Sequence, residues 1–272
     1  MSELDCIVKN SFPVTREMIE NDLHSLGITY GDILLVHSSL SSLGWVVGGA
    51  VTVIQALLNL VGSSGTLIMP AQSSSYSDPV GWQNPPVPQS WFQTIRDCMP
   101  AFEPHITPTS GMGIIPEVFR KFPDVLRSNH PLLSFVAKGK DAKYITDGHP
   151  LNYGLGNHSP LGKIDELNGK ILMLGTDYNT CTSLHLAEVR AGNHQIAKYG
   201  APILDAGVRI WKEYNDIDYS TQFFSQIGNE FERCNQHNIL LGSVGMAQSK
   251  VFAQGSLVDF AVSWLITKRG VR

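Results

Sequence analysis

Apolar residues recur along this chain with two spacings, and their alternation outlines an architecture. Met18, Ile19, Leu23 and Leu26 fall three to four residues apart, the repeat of a helix with one buried face. Thr15 precedes them as N-cap, and Gly27 follows as the stop, because a threonine hydroxyl accepts a free first-turn N–H and glycine leaves a helix without strain. Ile33-Leu34-Leu35-Val36 is an unbroken apolar run, the pattern of a strand covered on both faces. Ala50 to Leu60 reads as a helix with Val53, Ile54, Leu57 and Leu60 on one face, and Thr66-Leu67-Ile68-Met69 as a second buried strand. Residues 33–69 therefore read strand, loop, helix, strand, a βαβ unit of a parallel sheet.

The same reading predicts helices over 113–122, 183–191, 220–234 and 257–266, and strands at 135–137 and 171–174. A hairpin centred on Gly207 spans 202–213, and strands lie between 239 and 252. Residues 72–110 differ: prolines are frequent and Tyr76, Trp82, Trp91 and Phe102 are bulky. An irregular stretch of that length inside a compact domain is often functional. Its aromatics predict packing on the body, as a lid or the wall of a cleft. With no internal repeat or low-complexity linker, residues 1–272 read as one α/β domain carrying an irregular insertion at about 72–110.

Composition narrows the classes. Hydrophobic residues are 43% and charged residues 16%, a globular balance with a sizeable core. No basic cluster suggests a nucleic-acid partner, and no apolar run reaches the roughly 18 residues of a membrane helix. Met1-Ser2-Glu3-Leu4-Asp5 lacks the basic start of a secretory signal. Cys6, Cys98, Cys181 and Cys234 are scattered without a CxxC pair, as expected for reduced thiols in a cytoplasm. The net charge of −4 is compatible with a cationic substrate.

Two segments carry candidate chemistry. His37-Ser38-Ser39-Leu40-Ser41-Ser42-Leu43-Gly44-Trp45-Val46-Val47-Gly48-Gly49 joins a buried strand to a helix. Small residues and a helix N-terminus at the carboxyl end of a strand can cradle a pyrophosphate; the same composition also suits an ordinary connecting loop. It is neither GxxxxGK[ST] nor GxGxxG, which counts against ATP and NAD. In Thr182-Ser183-Leu184-His185-Leu186-Ala187-Glu188, His185 and Glu188 lie at i and i+3. On a helix they share a face, and a carboxylate there holds an imidazole in one tautomer for general-base work. An ordinary surface pair has the same spacing. HExxH and GxSxG are absent, and Cys181 near His185 leaves a thiol-nucleophile reading open. His130, His149, His158 and Ser159 fall in segments read as loops, and Glu213, Asp216 and Asp218 follow the hairpin.

Taken in order, the 36–49 segment, Thr109-Ser110-Gly111-Met112-Gly113, Arg127-Ser128-Asn129-His130-Pro131, the Gly154-to-Lys163 segment and the 182–188 segment resemble the aminoglycoside 3-N-acetyltransferase family, in particular its YokD-like branch. The resemblance covers about residues 15–265. It implies a three-layer α/β/α sandwich around a mixed, mainly parallel central sheet, distinct from the GNAT fold. It also implies acetyl-coenzyme A as cofactor, no metal, and direct transfer of acetyl to the 3-amino group of a deoxystreptamine ring. In family terms the serine-rich loop and the Ser110-to-Gly113 turn line the coenzyme A site. His185 is then the base, with Glu188 and Glu213 as acids of the catalytic group. Asp216, Asp218, His130 and Ser159 are the candidate acceptor contacts. The family's EEFD-like stretch corresponds here to Lys212-Glu213-Tyr214-Asn215-Asp216, with Asn215 nearest the family's Asp. That departure keeps two alternatives in view, a different amine acceptor and a non-catalytic coenzyme A-binding protein. The partner implied is a small-molecule amine, without nucleic acid or membrane, and a homodimer is compatible with the reading.

Overall fold

The computed structural model describes residues 7–8, 12–192 and 194–269; Cys6 and the acidic start at 1–5 lie outside them. Strand β1 (Ile33–Ser38) is the middle of a seven-stranded sheet. It pairs in parallel with β2 (Thr66–Pro70) on one side and β5 (Lys170–Leu174) on the other. Beyond β2 come β4 (Phe135–Gly139) and the short β3 (Leu126–Arg127); beyond β5 come β9 (Ala247–Ala253) and β8 (Leu240–Val244). Each of these outer pairings is antiparallel. The sheet is thus mixed with a parallel centre, only β4 and β9 running against the rest. Strands β6 (Ile196–Asp205) and β7 (Val208–Ile217) form a separate hairpin.

Alternation along the buried strands divides the core into two layers. Leu34, Val36, Leu67, Met69 and Leu172 face one side. There they meet α1 (Arg16–Ser25) through Ile19 and Leu23, and α2 (Gly49–Val61) through Val53, Ile54 and Leu57. The short α4 (Ile114–Phe119) adds Phe119. Leu35, Ile68, Phe135, Ile171 and Met173 face the other side. That side is covered by α5 (Ala142–Thr146), α6 (Pro160–Glu166), α7 (Ser183–Ala191), α8 (Phe224–Cys234) and α9 (Gln254–Arg269). This is the expected three-layer sandwich, reached because runs such as Ile33–Val36 are apolar at successive positions. Thr15 caps α1 by accepting from the Met18 N–H, and Gly27 takes φ 87° at its exit.

Three sequence expectations are corrected. The hairpin is longer than 202–213, so Glu213 and Asp216 lie on β7 and only Asp218 follows it. Ser159 is not in a loop: it N-caps α6 with Pro160 in the first turn, where the missing proline N–H has no consequence. Residues 72–110 contain α3 (Phe92–Cys98), and of them Gln72 alone lines the cleft. Arg127 pins the excursion at both ends, donating to Ala71 O and Ser73 Oγ and to the carbonyls of Thr107 and Pro104. The Phe102 ring lies 5.0 Å from its guanidinium carbon. Further contacts run to the hairpin, from Phe102 N–H to Pro202 O and from Arg209 to Met99 O.

Candidate functional site

The loops leaving β1 and β5 part company. The one after β1 crosses to α2 on one face of the sheet, and the one after β5 crosses to α7 on the other. Neighbouring parallel strands whose exits diverge leave a crevice at their carboxyl ends. A cavity of about 960 Å³ opens there, lined from both sides by 36–41, 44–46 and Gly49 and by Thr176, Asn179, Thr180, Thr182 and His185. Gly111 to Pro116 close a third side, and Pro70, Gln72, Thr221 and Phe224 complete the wall.

His185 and Glu188 meet as their helical spacing requires. Nδ1 lies 2.6 Å from Glu188 Oε2, and both side chains are largely buried. Tyr219 and Phe224 pack on the imidazole, with ring centroids 5.0 and 4.7 Å away. The carboxylate accepts from Nδ1–H, which leaves Nε2 as the unprotonated ring nitrogen, the one able to act as a base. An imidazole so held can take a proton from a nucleophile in the cavity.

The loop after β1 is built for close approach. Gly48 and Gly49 have φ of 76° and 59° as they open α2, a conformation that favours glycine. A Cβ added at Gly49 or at Gly111 (φ 72°) would meet no atom within 4 Å, so the room beside these backbones is open to a ligand. His37, Ser38, Ser39, Leu40, Gly44, Trp45, Val46, Gly49, Gly111, Met112 and Gly113, all expected at the cofactor, line the cavity. Burial pushes the His37 imidazole down to about 4, so it is neutral near pH 7.

Three expected cofactor residues, Ser42, Gly48 and Ser110, are not in the lining. Ser42 Oγ bonds Ser39 Oγ and Gly175 O, tying the loop to the end of β5. Gly48 sits against Thr52 Oγ1, and Ser110 Oγ faces Ser75 Oγ. The acceptor candidates are further off. His130 is fully buried, and its Nδ1 accepts the Leu132 and Leu133 N–H groups at 3.1 and 3.0 Å. Ser159 accepts from the Leu161 N–H as a cap. Asp216 is buried and holds Gly154 N–H, Ile217 N–H and the Tyr219 hydroxyl at 2.8–2.9 Å. Desolvation raises its pKa above the usual carboxylate value. Glu213, expected in the catalytic group, is exposed, 2.7 Å from Lys198 Nζ and outside the lining that holds His185. Asp218 is exposed and outside the lining. Cys181 is fully buried, and burial pushes its thiol up to about 12, which disfavours the thiolate a nucleophile needs.

Sequence reasoning missed Tyr219 and Phe224, the rings that hold His185, and the Asn179, Thr180 and Thr221 side of the wall. Phe224 was visible only as a core residue of an amphipathic helix. Nothing local marked Tyr219.

A crevice at diverging strand exits, a glycine-bearing loop and a carboxylate-held imidazole make a site for general-base chemistry on a ligand held at the strand ends. The model of the aminoglycoside 3-N-acetyltransferase family matches residues 35–266, and the chain belongs to that family. It is 48% identical over 261 residues to the SPbeta prophage-derived aminoglycoside N(3')-acetyltransferase-like protein YokD of Bacillus subtilis (strain 168), covering 96% of this chain and 95% of that protein. It is 33% identical to aminoglycoside N(3)-acetyltransferase IX of Micromonospora chalcea, covering 98% and 99%. The crystal structure of Bacillus subtilis YokD superposes with a TM-score of 0.94 at 47% identity, over 97% of each chain. AAC-IIIb in binary complex with CoASH superposes at 0.84 and 32% identity, over 94% of this chain and 98% of that one. AAC-VIa bound to sisomicin does so at 0.85 and 28%, over 94% and 99%.

Proposed function

We propose that the chain transfers an acetyl group from acetyl-coenzyme A to the 3-amino group of an aminoglycoside. The observation that carries this reading is the His185–Glu188 pair, 2.6 Å apart, opening on the cavity between the β1 and β5 exits. Family membership and the CoASH and sisomicin complexes of similar proteins support it.

The 38–49 loop and the Gly111–Gly113 turn would hold coenzyme A, their backbone donors and open glycine positions suiting a phosphate chain. The coenzyme supplies the acetyl group as a thioester. His185 Nε2 takes the proton of the acceptor amine, and Glu188 keeps Nδ1–H in place and stabilises the imidazolium that results. Tyr219 and Phe224 fix the ring plane. Of Glu213, Asp216 and Asp218, Asp218 is the one whose side chain has no hydrogen-bond or ion-pair partner among the described residues and could meet a cationic acceptor, because Asp216 holds Gly154 and Glu213 pairs with Lys198.

That distribution of acids also favours a second reading, a less cationic amine as natural acceptor. Among the described residues no helix is long and apolar enough to cross a membrane, and we place the enzyme in the cytoplasm. The test is thiol release from acetyl-coenzyme A with an aminoglycoside panel that includes sisomicin. Release with an acetylated 3-amino product is expected. Coenzyme binding without release points to the other amine.

A further inference from the structure

Thr182 immediately precedes α7, three residues before His185, and both line the cavity. The His185 N–H bonds Thr182 O at 3.0 Å, so the first turn is closed and the two side chains share a helix face. Thr182 has the residue type of an N-cap but does not act as one: its side chain makes no capping bond. Thr15 and Ser159 at the starts of α1 and α6 do make theirs. The Thr182 Oγ1 is closed to water and has no hydrogen-bond partner among the described residues. A buried hydroxyl left unpaired works against folding and calls for an explanation.

Two other unpartnered atoms, His37 Nε2 and Ser38 Oγ, belong to residues that line the same cavity. Ser38 alternates with His37 along β1 and so leaves the strand on the face of Val36, away from α7. Thr182 alone shares both a helix and a face with the base. In helical backbone a threonine has two staggered χ1 wells open to it, and φ −60°, ψ −23° place Thr182 there. A rotation about χ1 would carry the hydroxyl out of its buried position, on a residue that lines the cavity.

We propose that Thr182 is a catalytic residue whose hydroxyl donates a hydrogen bond to the carbonyl oxygen of the acetyl group being transferred. The claim rests on the function proposed above. The amine lone pair forms the new C–N bond while the carbonyl π pair moves onto oxygen. That pair returns as the C–S bond breaks, and the amine proton passes through His185 Nε2 to the departing thiolate. Thr182 keeps its own proton throughout. A donor that meets the oxygen as it gains charge stabilises the transition state more than the ground state.

The test compares Thr182→Val, which keeps the branched shape without the hydroxyl, with Thr182→Ser, which restores the hydroxyl, and with His185→Ala. Ligand-free Thr182→Val is expected to melt no lower than the wild type, since it loses no hydrogen bond. Coenzyme A affinity by calorimetry stays within about twofold, while the preference for acetyl-coenzyme A over coenzyme A shrinks roughly threefold to tenfold. With sisomicin as acceptor, kcat falls about a hundredfold in Thr182→Val, and Thr182→Ser recovers most of it. A Thr182→Val enzyme with at least half the wild-type kcat, or one that melts well below the wild type, overturns the proposal. If the wild type does not turn over sisomicin, the aminoglycoside reading fails. Thr182 is then judged by melting and by the acetyl preference, an unchanged preference counting against it. If His185→Ala stays active while Thr182→Val does not, the base assignment falls and Thr182 stands.

Discussion

His185 Nδ1 lies 2.6 Å from Glu188 Oε2, one helical turn apart and both largely buried. Replacing Glu188 by Gln keeps a hydrogen bond but removes the charge that favours an imidazolium. We expect kcat to fall roughly tenfold to a hundredfold, less than the 10²–10⁴ typical of losing a general base outright, with coenzyme A affinity unchanged. Steady-state kinetics beside calorimetry checks this; an unchanged kcat would detach Glu188 from the base.

Cys181 is fully buried below the same helix, with its thiol pushed up to about 12 by burial. Cys181→Ala should therefore keep turnover within about threefold, while losing some stability from the small void it leaves. Melting curves and thiol-release rates of the variant decide it. Abolished turnover in a well-folded variant would revive the thiol nucleophile.

Glu117 holds the turn that walls the cavity. Its carboxylate accepts from the Thr109 N–H and hydroxyl at 3.0 and 2.9 Å and pairs with Arg120 at 2.6 Å. Burial alone would push its pKa up, but Arg120, Thr109 and Lys121 hold it well below the ordinary 4.5. The folded form thus binds fewer protons than the unfolded form below about pH 4.5, so this contribution to stability is present above that pH and lost on acidification. Glu117→Gln should flatten the acid limb of the melting profile and weaken coenzyme A binding roughly threefold to tenfold. An acid limb identical to the wild type's would contradict it.

Three buried histidines give a second pH signal. Desolvation lowers His37 and His130 to about 4, and His149 is held well below 6.5 by burial and by the neighbouring His130. The unfolded chain takes up these protons near 6.5 and the folded one does not, so stability is full above pH 6.5 and falls as pH drops from 6.5 towards 4. Melting temperature measured across that interval should decline steadily. A flat profile would mean that these rings find protons or partners in the folded state.

Much of the architecture was legible because it is written in periodicity. Ile33–Val36 and Leu67–Met69 have no polar position, which only strands buried on both faces tolerate. Met18, Ile19 and Leu23 carry the helical repeat of α1. Short elements were lost: α6 begins at Ser159-Pro160, a cap and first-turn pair readable by rule, but only seven residues long and set among loop residues. His185 and Glu188 were legible because their contact is local, three residues apart. The fates of His130, Asp216 and Glu213 were not, since they depend on pairings across the chain. Asp216 is fixed by Gly154, 62 residues away, and Glu213 by Lys198 across a hairpin register. The path of the 72–110 excursion was not legible for the same reason: Arg127 fixes it, and no local pattern reveals that contact.

The measurement that tests the central claim most directly is the paired titration and turnover of His185→Ala: acetyl-coenzyme A binding by calorimetry, then thiol release with sisomicin in the same samples. A general base at the wall of a coenzyme site predicts an affinity within about twofold of the wild type and a kcat lower by roughly 10²–10⁴. Turnover at the wild-type rate, with binding intact, would contradict it.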